Sequence, residues 1–146
     1  MPTVFSHFGI CVSDLECSLR FYCEGLGFEA AESHDIGSEF ARLMEFDDVS
    51  LRSQFIRRDA VAIELLAFSI PAPIGEPVRR PVNQLGLTHL SFRVDDLPGT
   101  AARMSELGGS VLEQTRTSLD LSGLTLDFVY CTDPDGVRIE LMDLGG

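Results

Sequence analysis

Residues 7–15 read His-Phe-Gly-Ile-Cys-Val-Ser-Asp-Leu, and residues 89–97 read His-Leu-Ser-Phe-Arg-Val-Asp-Asp-Leu. One pattern (His, four residues, Val, one residue, Asp-Leu) therefore occurs twice, 82 positions apart. A second echo lies downstream, Ile63-Glu64-Leu65-Leu66 against Ile139-Glu140-Leu141-Met142, 76 positions apart. Between them Leu26-Gly27 and Leu107-Gly108 recur. An internal repeat of this kind ties the chain to one supersecondary unit used twice. The organisation expected is a first module over 1–70, a linker over 71–85 and a second module over 86–146, together one structural domain. The linker carries Pro71, Pro73, Pro77 and Pro81. Proline lacks a backbone donor and fixes φ, so this segment should be extended and irregular.

Each module reads as strand, helix, then three strands. In the first, Val4, Phe8, Ile10 and Val12 alternate on one face of a strand. Asp14 stands where a helix cap belongs, Leu15, Leu19, Tyr22 and Leu26 follow helical spacing, and Gly25 and Gly27 end the run. Strands are expected over Phe40–Phe46, Leu51–Arg57 and Val61–Phe68, with His34 in a polar loop after the helix. In the second module Thr88–Val94 reads as a strand and Asp96 as a cap. Leu97, Ala101, Met104 and Leu107 form a helical stripe that Gly108-Gly109 stops. Strands follow near 110–116, Leu124–Cys131 and Val137–Met142, with Asp133-Pro134-Asp135-Gly136 as a tight turn. The expected fold class is α+β: two βαβββ modules in a curved, partly barrel-like mixed sheet around a central cavity.

Composition excludes several functions. All 11 basic residues are Arg, against 23 Asp+Glu, for a formal net charge of -12. Without Lys there is neither a Schiff-base amine nor a P-loop. An acidic surface with no basic stripe repels phosphate backbones, so no nucleic-acid partner is expected. No apolar run reaches the roughly 18 residues of a membrane span. Cys11, Cys17, Cys23 and Cys131 show no paired spacing, which fits reduced thiols and a cytoplasmic location.

Strand alternation then sorts the polar residues. Phe5, His7, Gly9 and Cys11 share the face away from the helix, as do His89, Ser91 and Arg93 in the second module. Glu64, Leu66 and Phe68 share a face, and so do Arg138, Glu140 and Met142. If the two helix-free faces join, His7, Glu64, His89 and Glu140 converge. Two imidazoles and two carboxylates suit a divalent ion such as Zn, Ni, Co, Mn or Fe(II).

The paired modules, the His openings and the Asp-Pro-Asp-Gly-x-x-x-Glu-Leu ending resemble the vicinal oxygen chelate superfamily over essentially the whole chain. That superfamily includes glyoxalase I, methylmalonyl-CoA epimerase, extradiol dioxygenases, fosfomycin-resistance enzymes and bleomycin-binding proteins. The resemblance implies His7, Glu64, His89 and Glu140 as metal ligands and Glu140 or Glu64 as the base that moves a proton next to a carbonyl. It implies a lyase or isomerase acting on a small oxygenated molecule. The alternatives are an Fe(II) extradiol-type dioxygenase and a metal-free antibiotic-binding protein. Bacterial glyoxalase I usually carries Arg four residues after the first His, where this chain has Cys11; Arg93 holds the matching place in the second module. Arg93, as an anchor for an anionic group, joins Cys11, Phe68 and Met142 as candidate substrate contacts. Modules in this superfamily pair within a chain or across a dimer, and a homodimer is expected.

Overall fold

The computed structural model describes residues 2–145. The chain forms two compact units, Met1–Gly75 and Glu76–Gly146. The first contains β1 (Phe8–Cys11), α1 (Leu15–Arg20) continuing into a wider π turn (Phe21–Gly25), β2 (Glu29–Ile36), β3 (Ser50–Arg58) and β4 (Val61–Ile70). The second contains β5 (Leu90–Arg93), α2 (Leu97–Glu106), β6 (Ser110–Leu121), β7 (Leu124–Thr132) and β8 (Arg138–Asp143). The sheet orders are β1-β4-β3-β2 and β5-β8-β7-β6, the same topology twice. In each, the first strand lies parallel to the last and the remaining pairs are antiparallel. The repeat and the α+β class read from the sequence are both present.

One face of each sheet is closed by its helix. Ile63 and Leu65 of β4 and Ile56 of β3 are buried with Phe21, Tyr22, Leu26 and Phe28. In the second unit Ile139 and Leu141 of β8 and Val129 of β7 are buried with Leu97, Ala101 and Met104 of α2. Since side chains alternate along a strand, burying these residues turns Glu64 and Glu140 to the opposite, helix-free faces. Both helices start as expected: Asp14 accepts from the Cys17 N–H at 2.9 Å and Asp96 from that of Gly99 at 3.0 Å. Replacing Asp14 with Ala should lower the stability of the protein by about 1 kcal/mol, a small fall in Tm that calorimetry would register.

Four local expectations are corrected. Phe40–Phe46 is not a strand but a 3-10 turn (Ser38–Phe40) followed by further turns. Its apolar residues are spaced three apart where it matters: Ala41 and Met44 pack with Val49, Leu51, Leu66 and Phe68. The strand in its place is β2, which contains His34. β2 is an edge strand exposed along most of its length, so it lacks the alternation that would reveal it in sequence. Val4 precedes β1 and is 81% exposed, so it does not meet the helix. In the second unit β6 runs on to Leu121, past the expected end near 116, across an irregularity between Leu112 and Thr117. The Asp133–Gly136 turn forms, with the Gly136 N–H donating to the Asp133 carbonyl at 3.1 Å.

Candidate metal half-sites

On the helix-free face of the first unit, His7 Nε2 lies 3.5 Å from Glu64 Oε1. β4 carries Glu64 between the buried Ile63 and Leu65, and the parallel pairing of β1 with β4 sets Gly9 beside it. The other side of each group is also held. The Ser6 hydroxyl is 2.7 Å from His7 Nδ1. The buried Ser53 hydroxyl donates to Glu64 Oε2 at 2.6 Å. Phe55, opposite Glu64 in the ladder, meets the His7 ring edge-on at a centroid distance of 5.0 Å.

The second unit repeats this arrangement with different residues. His89 Nε2 lies 3.8 Å from Glu140 Oε1, and the Thr88 hydroxyl is 2.8 Å from His89 Nδ1. Ser91, beside Glu140, donates to the same Oε1 at 2.7 Å. Tyr130, opposite Glu140, meets the His89 ring at 5.7 Å. The Arg138 guanidinium lies over that tyrosine ring, 4.7 Å from its centroid. In both units the nitrogen that faces the carboxylate is Nε2, while a hydroxyl from the preceding residue engages Nδ1. Ligating histidines are commonly oriented by such a contact to the second ring nitrogen. A hydroxyl accepting from Nδ1–H leaves the Nε2 lone pair available for an ion.

The sequence placed one His and one Glu on the helix-free face of each module; the structure sets His7 beside Glu64 and His89 beside Glu140. Each pair offers two donors. Among the described residues no three His, Cys, Asp or Glu side chains gather in one group. Leu66 and Phe68 lie along β4 on the Glu64 face, packed under the 41–49 segment, with Phe46 edge-on to Phe68 at 6.2 Å. Met142 follows Glu140 on its face of β8 and pairs with Arg93 of β5. Arg93 is exposed, and its side chain forms no hydrogen bond or ion pair among the described residues. Cys11 is exposed at the end of β1 on the His7 face. Cys131 is buried on the opposite side, and loss of solvent pushes its thiol up to about 11, away from reactivity at neutral pH. Phe5 is 65% exposed.

Sequence reasoning missed Ser53, Phe55 and Tyr130, because their relation to the glutamates depends on which residues face each other across the ladder. Ser6 and Thr88 left a faint signal, a hydroxyl residue before each histidine.

The model of the glyoxalase/bleomycin resistance protein/dioxygenase superfamily matches residues 4–141. The uncharacterized protein YaeR of Escherichia coli is 32% identical over 137 residues, covering 94% of this chain and 93% of its own. Among solved structures, a glyoxalase family protein from Bacillus cereus superposes with a TM-score of 0.82 at 20% identity, covering 97% of this chain and 94% of that one. The fosfomycin resistance protein FosX from Listeria monocytogenes, crystallised with Mn(II) and sulfate, gives 0.61 at 16% identity over 100% and 94%. The two-unit topology, the duplicated His–Glu pairs and a family match spanning both units agree: the chain belongs to the glyoxalase/bleomycin resistance protein/dioxygenase superfamily.

Proposed function

We propose that the protein is a divalent-metal-dependent lyase or isomerase that moves a proton next to a carbonyl of a small oxygenated substrate. The observation that carries this reading is the duplicated His–Glu pair, with Nε2 facing the carboxylate in both units. One imidazole and one carboxylate are too few for a resident divalent ion, whereas two such pairs supply four donors of fitting type. His7, Glu64, His89 and Glu140 would hold the ion, in a protein expected to form a homodimer. FosX, crystallised with Mn(II), supports the reading only in that this fold can carry a divalent ion. When bound, the ion supplies Lewis-acid polarisation of a carbonyl oxygen. The chain's own residues do the rest. Glu140 or Glu64 accepts the α-proton and returns it to the neighbouring carbon or the opposite face. Leu66, Phe68 and Met142 offer apolar surface beside the carboxylates, Cys11 a small contact beside His7, and Arg93 a guanidinium for an anionic substituent. The free thiols of Cys11, Cys17, Cys23 and Cys131 fit the expected cytoplasmic location.

The test is solvent exchange. Metal-loaded protein in D2O, given dihydroxyacetone or the hemithioacetal of methylglyoxal, should incorporate deuterium at the α-carbon faster than buffer with metal, and lose that activity on chelation. Oxygen uptake with catechols instead would indicate the dioxygenase, and stoichiometric bleomycin binding without turnover the sequestering protein. Arg93→Ala should slow exchange into dihydroxyacetone phosphate about 10-fold more than into neutral dihydroxyacetone, the scale of one charge-assisted hydrogen bond. Equal losses on both would remove Arg93 from the anchoring role.

A further inference from the structure

We infer that Ser53 is a positioning residue that commits one oxygen of Glu64 and so makes the two half-sites unequal; this rests on the four-ligand reading above. Ser53 is fully buried on β3, and its hydroxyl donates to Glu64 Oε2 at 2.6 Å. A bond that short between a hydroxyl and a carboxylate oxygen is a strong, charge-assisted one. With Oε2 engaged, the oxygen left toward His7 Nε2 is Oε1, so Glu64 is set up as a one-oxygen donor in a fixed orientation.

Nothing equivalent holds Glu140. The place across the ladder that matches Ser53 is Phe128, which pairs with Met142 as Ser53 pairs with Leu66. The hydroxyl of this unit comes instead from Ser91, at the position where the first unit has Gly9. Ser91 is exposed, and its hydroxyl goes to the Oε1 that also faces His89. Glu140 Oε2 makes no hydrogen bond among the described residues. The difference between buried and exposed decides the expected effects. Water can replace the Ser91 hydroxyl when it is removed, but the space left by the Ser53 hydroxyl is closed to solvent, so Glu64 loses a partner without compensation.

Mn(II) affinity of the metal-free, full-length protein, read from the free-ion EPR signal, tests this. Ser53→Ala should weaken Mn(II) binding about 10- to 100-fold, the usual cost of losing a contact that orients a ligand, and Ser91→Ala less than about 3-fold. In a Glu64→Gln background Ser53→Ala should cost little more, because the two act through one bond. Unchanged affinity in Ser53→Ala, or the same loss with and without Glu64, would overturn the assignment. Should Ser53→Ala fail to fold, Ser53→Cys leaves no cavity and has a weaker donor; weakened binding there supports the role, and equal or tighter binding overturns it. Native protein that binds no Mn(II), Zn, Ni or anaerobic Fe(II) overturns both this inference and the four-ligand reading. Native binding with no response at Ser53 overturns this inference alone.

Discussion

With the proposed four-ligand site, Glu140→Gln is expected to strip most of the divalent ion from the protein while leaving its fold intact. The carboxylate sits on β8 between Ile139 and Leu141, which are buried in the second core, so the backbone there is fixed by packing that the substitution does not touch. Glutamine has nearly the same volume and keeps an acceptor for the Ser91 hydroxyl. What it loses is the negative charge, and a neutral amide oxygen is a poor ligand for a borderline ion. Loss of an orienting partner alone costs about 10- to 100-fold in metal affinity, so loss of a ligand should cost about 100-fold or more. Elemental analysis after purification would read this directly, with circular dichroism confirming the fold. His7→Ala and Glu64→Ala should lose the ion as well. Retention in Glu64→Ala with loss in His7→Ala would favour a three-ligand geometry of the dioxygenase or transferase kind, and unchanged content in Glu140→Gln would remove Glu140 from the ligand set.

The parts of this molecule legible in its sequence are those where a side chain answers to a period. The stripe Leu97, Ala101, Met104, Leu107 is buried throughout, and the alternation around Glu64 and Glu140 placed both carboxylates on the helix-free faces. A duplicated sequence also let two copies check each other: His7 is one histidine of three, but His7 and His89 at matching positions carry information that neither has alone. The failures have an equally physical origin. β2 is polar on both sides because an edge strand with two solvated faces has nothing to alternate against. The Phe40–Phe46 segment is apolar because it folds as a turn over Leu66 and Phe68, and apolar content without its spacing reads as strand. Ser53 was invisible for a third reason. A serine between Arg52 and Gln54 has no motif, and its role comes wholly from the ladder that sets β3 against β4.

Gly136→Ala is expected to be strongly destabilising, and the reason joins the linker to the strand that carries Glu140. Gly136 closes the Asp133–Gly136 turn with φ +90°, in the region that L side chains rarely adopt. Asp133 is buried and its Oδ1 accepts from the N–H groups of Asp135 and Val137 at 2.9 and 2.8 Å, so the turn has little room to relax. A Cβ at Gly136 would stand 2.6 Å from the carbonyl carbon of Val78 and 2.8 Å from its oxygen. Those are backbone atoms of the Pro-rich segment, which is further tied down where Arg138 donates to the Arg80 carbonyl at 2.7 Å. Backbone strain and the clash together should cost about 3 to 5 kcal/mol, a fall in Tm of about 10 °C. Gly123 is the control. It has φ +80° in the β6–β7 turn, with nothing within 4 Å of its would-be Cβ, so Gly123→Ala should cost only the strain, about 1 kcal/mol. Urea unfolding of the two variants separates the contributions: a much larger loss at Gly136 shows the 78–80 segment held against the turn that leads into Glu140, and equal losses would show that segment lifting away at little cost.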